Sequence, residues 1–194
     1  MPFEDCSSIA AATLEKICNE PPVLGLETNA VVIPISQIDR GATAFNADKT
    51  IITDLVLIAN PIVIPVSAFK RFKDGGYDAK ENAEGPNGFV HMFTFIAPQN
   101  NSQAKKFFNN TASGERFLVV VERKWKGASN ADAFEVLGYD VGMTIAVSQK
   151  YYGDAGAPVL ALKTPGDEQE PRVPYTWLDT NYATTKTAFE ALIA

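Results

Sequence analysis

The segment Phe117–Met143 most constrains what this chain can fold into. It reads FLVVVERKWKG, then a short polar insert, then AFEVLGYDVGM. Two β-rich runs separated by a solvated connection predict consecutive strands, Phe117–Lys124 and Ala133–Gly138, joined by Trp125–Asp132. A glycine-flanked turn follows at Tyr139. The segment contains no nucleophile beside a base, no cluster of metal ligands and no phosphate cradle, so it reads as architecture.

Strand signals recur through the rest of the chain. Asn29–Ser36 (NAVVIPIS) and Thr50–Ala59 (TIITDLVLIA) are rich in β-branched residues. Ile62–Phe72 starts a third strand, and Asn60-Pro61 between the last two is a turn signal compatible with a hairpin. Pro34 and Pro65 predict edge strands or bulges, because proline cannot donate to a ladder. Phe89–Ala97 sets Phe89, His91, Phe93 and Phe95 on one side and Val90, Met92, Thr94 and Ile96 on the other. Both sets are largely apolar, which predicts a central strand covered on both faces. Met143–Lys150, Pro158–Lys163 and Val173–Trp177 complete about eight strands. Between them, Thr164–Pro171 (TPGDEQEP) reads as a solvated loop.

Three stretches have helical spacing. Ala104, Phe107, Phe108 and Thr111 share one face of a helix over about 99–112, capped by Asn100, Asn101 or Ser102 and stopped by Gly114. Thr184–Ala194 places Phe189, Leu192 and Ile193 together. Ser7–Cys18 is helix-compatible and ends at Pro21-Pro22. The fold class is therefore α+β and β-rich: a β-sandwich or partly open barrel with one flanking helix, extended loops and helical or flexible termini. Residues 1–28 form an N-terminal arm or helix. Residues 29–194 form a single β-rich domain with a C-terminal helix over 184–194. The charged, glycine-rich stretch Lys73–Gly88 projects from it as a long loop.

Composition narrows function by exclusion. Of 194 residues, 17 are Lys or Arg and 23 are Asp or Glu, a net charge of −6. A tight DNA grip needs a cationic footprint, which this balance does not supply overall. Leu55–Val66, the most apolar stretch, is interrupted by Asn60, Pro61 and Pro65 and is too short to span a bilayer. The N-terminal MPFEDC is acidic and unlike a secretory leader. The two cysteines, Cys6 and Cys18, read as reduced thiols.

Individual residues offer little chemistry. His91, the single histidine, shares a strand face with three phenylalanines and reads as structural. Cys6, Cys18 and His91 do not have zinc-site spacing. Asp74, Asp78, Glu81 and Glu84 could collect calcium, but their spacing is not that of an EF-hand loop. Gly138 and Gly142 precede a β pattern, not a helix, so they shape a tight turn or bulge. Arg123, Lys124 and Lys126 surround Trp125 and could stack and pair with a single nucleic-acid strand, though a solvated rim fits the acidic total better. No residue is assigned as catalytic, cofactor-binding or metal-binding. The glycosylation triplets at Asn100 and Asn109 carry no meaning without a secretory route.

Three stretches together carry a family resemblance: GFVHMFTFIAPQNNSQAKKFFNN, FLVVVERKWKG with AFEVLGYDVGM, and LALKTPGDEQEPRVPYTWLDTNYATTKTAF. The chain resembles phage tail tube-like structural proteins, especially those of phages infecting Bacteroidetes. The resemblance implies a non-enzymatic virion protein made in the bacterial host cytoplasm and assembled into the tail. Its partners would be further copies of itself in rings, commonly hexameric and able to stack, and neighbouring tail or connector proteins. DNA would pass through the lumen without sequence-specific binding, and an acidic wall would let it slide. Lys73–Gly88 and the two termini become candidate inter-subunit arms. Two other readings compete. One is a terminator or connector ring at the head–tail or distal junction. The other is a carbohydrate-binding sandwich using Trp125, Tyr151, Tyr152 and Trp177 as stacking platforms.

Overall fold

A computed structural model describes residues 23, 25–67, 74–82, 85–96, 102–148 and 159–194. The N-terminal helix reading, Cys6, Cys18, Glu84, Tyr151 and Tyr152 lie outside these residues. The described strands are β1 (Leu26–Pro34), β2 (Ala44–Phe45), β3 (Ile51–Asp54), β4 (Ile64–Ser67), β5 (Asp74–Lys80), β6 (Gly88–Ile96), β7 (Phe117–Arg123), β8 (Phe134–Leu137), β9 (Thr144–Ser148), β10 (Val159–Lys163) and β11 (Tyr175–Trp177). Two helices accompany them, α1 (Ser102–Ala112) and α2 (Tyr182–Ala191).

The strands form two sheets. A seven-stranded sheet runs β2-β3-β11-β8-β7-β1-β4, and a four-stranded sheet runs β5-β6-β10-β9. All pairings are antiparallel except β3 with β11. This is the β-rich sandwich with a flanking helix that the sequence predicts.

Two cores sit on opposite faces of the large sheet. Ala30, Val32, Phe117, Val119 and Val121 face the small sheet, where they meet Phe93, Phe95, Leu160 and Leu162. Val31, Ile33, Leu118 and Val120 face the other way, against Phe134, Trp177 and Phe189 of α2. Alternate residues of β1 and β7 therefore enter different cores, which explains their unbroken apolar runs. Each fully buried aliphatic side chain contributes ~1.5–3 kcal/mol relative to exposure.

Coverage of both faces belongs to β1 and β7 and not, as the alternation suggests, to β6. In β6, His91, Phe93 and Phe95 are buried while Val90, Met92, Thr94 and Ile96 are only half-buried. Among the described residues, no third sheet packs on the far face of the small sheet.

Several boundaries and pairings differ from expectation. The runs around Asn60-Pro61 do not form a hairpin. β3 pairs with β2 and β11, whereas β4 pairs with β1 at the far edge of the same sheet. Long-range partners outcompete the local turn, with Asn60 at φ 55 redirecting the chain. Pro65 does lie on an edge strand, opposite Val31. Pro34 lies at the end of an interior strand, beyond the last β4 partner at Val32. The strand β1 begins at Leu26, and eleven described strands stand where about eight were expected, because short edge pieces carry little sequence signal.

The predicted projecting loop Lys73–Gly88 is corrected most sharply. Asp74–Lys80 pairs residue for residue with β6, from Asp74↔Thr94 to Lys80↔Gly88. An edge strand needs backbone partners on one side only, so glycines and charges do not exclude it.

The helices sit close to their predicted ranges. In α1, Phe107 packs with its ring 6.3 Å from Phe95 and 6.0 Å from Phe117, and Gly114 follows at φ 90. The helix α2 starts two residues earlier than read, capped by Asn181, whose side chain accepts the Thr184 N–H at 3.0 Å. Its Phe189 is fully buried, so α2 is part of the fold and not a free arm.

Candidate functional site

The densest convergence of polar groups lies at the turn between β8 and β9, residues 138–142. Local sequence explains the turn itself. Gly138 has φ 73 and Gly142 has φ 90, a region costly for residues with a Cβ. A Cβ on Gly142 would also stand 2.3 Å from Ile35 Cδ1 and 2.9 Å from Arg116 Cβ.

The turn exposes four backbone N–H groups inward, and each has an acceptor. Gly138 N–H donates to His91 Nδ1 at 2.9 Å. Asp140, Val141 and Gly142 N–H donate to the Glu170 carboxylate at 3.0–3.2 Å. The carbonyl side is held too. Arg40 donates to Tyr139 O at 2.7 Å and to Asp140 O at 3.0 Å. Arg116 donates to Val141 O at 3.0 Å and forms a two-point pair with Glu168. Tyr175 donates to Asp140 Oδ2 at 2.8 Å.

This geometry resembles an anion nest, with successive N–H groups directed at one negative group. The anion is the chain's own Glu170. The turn thus does cradle an anion, as glycine-rich turns can, and the occupant is intramolecular. Glu170 is 1% exposed. Burial pushes its carboxyl above the usual carboxylate range, against the three N–H bonds that favour charge. Its backbone also bridges to Phe89 through two bonds of 2.8 Å, which ties the nest to the small sheet.

His91 completes the clasp from β6. With Nδ1 accepting from Gly138, its Nε2–H donates to Arg172 O at 2.9 Å, which fixes the neutral tautomer. Its backbone exchanges bonds with Thr164. Burial lowers its pKa to about 4, partly opposed by the Arg172 carbonyl. The stretch 164–171 is accordingly not a simple solvated loop: Thr164 and Glu170 are buried and Glu168 pairs with Arg116. Nothing in TPGDEQEP distinguishes Glu170 from Asp167 and Glu168, because its partners lie about thirty residues away in the chain.

A second polar cluster fixes α2. Glu122, 3% exposed, accepts from Lys126 at 2.7 Å, Lys186 at 2.5 Å and Tyr182 OH at 2.8 Å. Burial opposes its charge more than any single contact supports it. Together the three donors still hold its carboxyl below the usual range.

The remaining candidates do not converge. Asp78 and Glu81 are exposed, and no group of three potential metal ligands gathers among the described residues. The basic residues flanking Trp125 are partly committed. Arg123 pairs with Glu135 at 2.8 Å and stacks over Trp125 at 5.2 Å, and Lys126 turns into Glu122. Lys124 remains exposed at this rim. Trp177, expected as a stacking platform for sugars, is 4% exposed and packs on Phe134, so it offers no face to a ligand. No described helix is long and apolar enough to cross a membrane.

Comparison with known proteins finds no matching family model, no similar curated protein and no similar solved structure.

Proposed function

We propose that this chain is a virion structural protein whose copies assemble into rings, the subunit of a phage tail tube that conducts DNA. The reading rests on the resemblance carried by the three sequence stretches and is supported by one structural observation, the state of the sheet edges. Proteins guard exposed edges against pairing with other chains. Here β2 is two residues long, β4 carries Pro65, and β9 packs against α1. The seven residues of β5 have no proline, and no described strand pairs with their outer side. At seven residues β5 is the longest of the four described edge strands, and an edge of that length suits a protein that meets other copies of itself.

The net charge of −6 fits a conduit that repels phosphate. Negative-stain microscopy of the purified protein, paired with light scattering, tests the proposal. Open-ended tubes are the expected result, and isolated rings would reassign the chain to a terminator or connector. A strictly monomeric species at the highest attainable concentration would overturn the ring reading.

A further inference from the structure

Four residues, Leu178–Asn181, join β11 to α2. This hinge is fixed at both ends. On the sheet side, Leu178 N–H donates to Ile52 O at 3.0 Å. On the helix side, Asn181 caps α2 by accepting the Thr184 N–H. Between these anchors Thr180 takes φ 52. Five described residues other than glycine have positive φ, and Thr180 is the β-branched one among them. That region is most costly for a β-branched residue. Its side chain is exposed and donates to Asp179 Oδ1 at 3.1 Å, a contact open to water.

The surface that α2 docks on lies far from the hinge in sequence. Lys186 Nζ donates to the buried Glu122 of β7 at 2.5 Å, and Tyr182 OH donates to the same carboxylate at 2.8 Å. Phe189 packs on Phe134 of β8 with ring centroids 5.1 Å apart, and Tyr182 stacks on that ring at 5.9 Å. None of these four contacts involves the hinge. An identical α2 from a second copy can therefore make all of them unchanged. What ties the closed form together across the hinge is the Asp179 N–H, which donates to the buried Thr185 hydroxyl at 2.8 Å.

Closure within one copy is favoured by proximity, because a short linker gives an effective concentration on the order of millimolar. It is opposed by strain at Thr180. One residue held in a sparsely populated backbone region lowers the preference for closure by roughly 5- to 150-fold. Extending the hinge removes that strain, and short strained hinges favour exchange of an element between copies.

We infer that α2 is an exchangeable element: at high concentration the hinge extends, and α2 of one copy docks on the Glu122–Phe134 face of another. The partner is a second copy of this chain, and the surface it covers is the one α2 already covers. The inference goes beyond the tube reading and stands without it, since exchange joins copies in a closed pair as well as in a ring.

Hinge variants test it, because Thr180 is exposed and its replacement leaves both sides of the α2 interface intact. Thr180→Pro fixes φ at about −65° and forbids the closed hinge. Multiples of the monomer mass should then appear by light scattering at concentrations roughly tenfold lower than for the unmodified chain. Thr180→Gly tolerates positive φ and should shift that threshold upward. Isotope-filtered NMR on co-refolded labelled and unlabelled Thr180→Pro should show Phe189 of one copy against Phe134 of the other. Deletion of Thr180, which shortens the same hinge, repeats the test should the proline variant fail to fold. A proline variant that stays monomeric, or whose Phe189–Phe134 contacts remain within one copy, would overturn the inference. Tubes formed equally by all three chains, each with α2 on its own copy, would also overturn it while leaving the tube reading intact. Exchanged pairs that never close into rings would uphold the inference and count against the tube.

Discussion

The strip along β1 and β7 and the turn at 138–142 are both fixed in place, by opposite means. The strip uses aliphatic residues in strict alternation, Val31, Ile33, Leu118 and Val120 to one core and Ala30, Val32, Val119 and Val121 to the other. The turn uses backbone donors and the buried His91, Glu170 and Tyr175, with the more exposed Arg40 and Arg116 holding its carbonyls. Apolar packing is tolerant, because neighbours relax around a lost methyl group and the cost scales with the cavity left. A polar clasp is less forgiving, since a missing acceptor leaves desolvated N–H groups with no partner. The strip should therefore degrade gradually and the clasp abruptly.

Glu170→Ala is expected to break this contrast open with the largest effect. It strips the acceptor from three N–H groups, at ~1–3 kcal/mol each when unsatisfied, so a total loss of about 4 kcal/mol is expected once water partly compensates. Urea unfolding measures the loss. Hydrogen exchange should show faster exchange at 138–142 before β1 and β7 change. Equal loosening of both regions would mean that clasp and strip form one cooperative unit.

Acid should act on the clasp next. His91 has a folded pKa of about 4, below the unfolded value, so its neutral form is favoured by folding. The unfolded chain binds the extra proton first, and stability present above pH ~6.5 is lost as pH falls toward 4. At ~1.4 kcal/mol per pKa unit the loss amounts to about 3 kcal/mol. Glu170 acts in the opposite sense, because burial raises its pKa and favours the folded state as it takes up a proton. The difference in pH dependence between the native chain and His91→Gln isolates the histidine. A variant whose stability falls equally steeply between pH 7 and 4 would remove His91 from the account.

The strip should respond least. Val120→Ala removes two buried methyl-equivalents and is expected to cost about 2 kcal/mol, at ~0.8 kcal/mol per buried CH₂ plus a small cavity. Its stability loss should not vary with pH. A cost above that of Glu170→Ala would reverse the ranking of the two regions.

Legibility follows the same divide. Phe117–Arg123 is readable as a strand because its apolar run is long and bounded, and α1 and α2 because their spacing is local. The clasp is not readable. Gly138 and Gly142 announce a turn, but Glu170 looks like one acid among several in a polar loop, and His91 like one more core position.

The sequence by itself determined a β-rich chain, its two described helices, its main strands and the turn at Tyr139, because period and propensity act over a few neighbouring residues. Tertiary structure alone decided that β3 and β4 part to different places in one sheet, that Asp74–Lys80 becomes an edge strand, and that Glu170 fills the 138–142 nest. Those outcomes depend on partners far away in the chain. Strand pairing and the burial of a charge take their energy from the partner, which no local pattern of residues encodes.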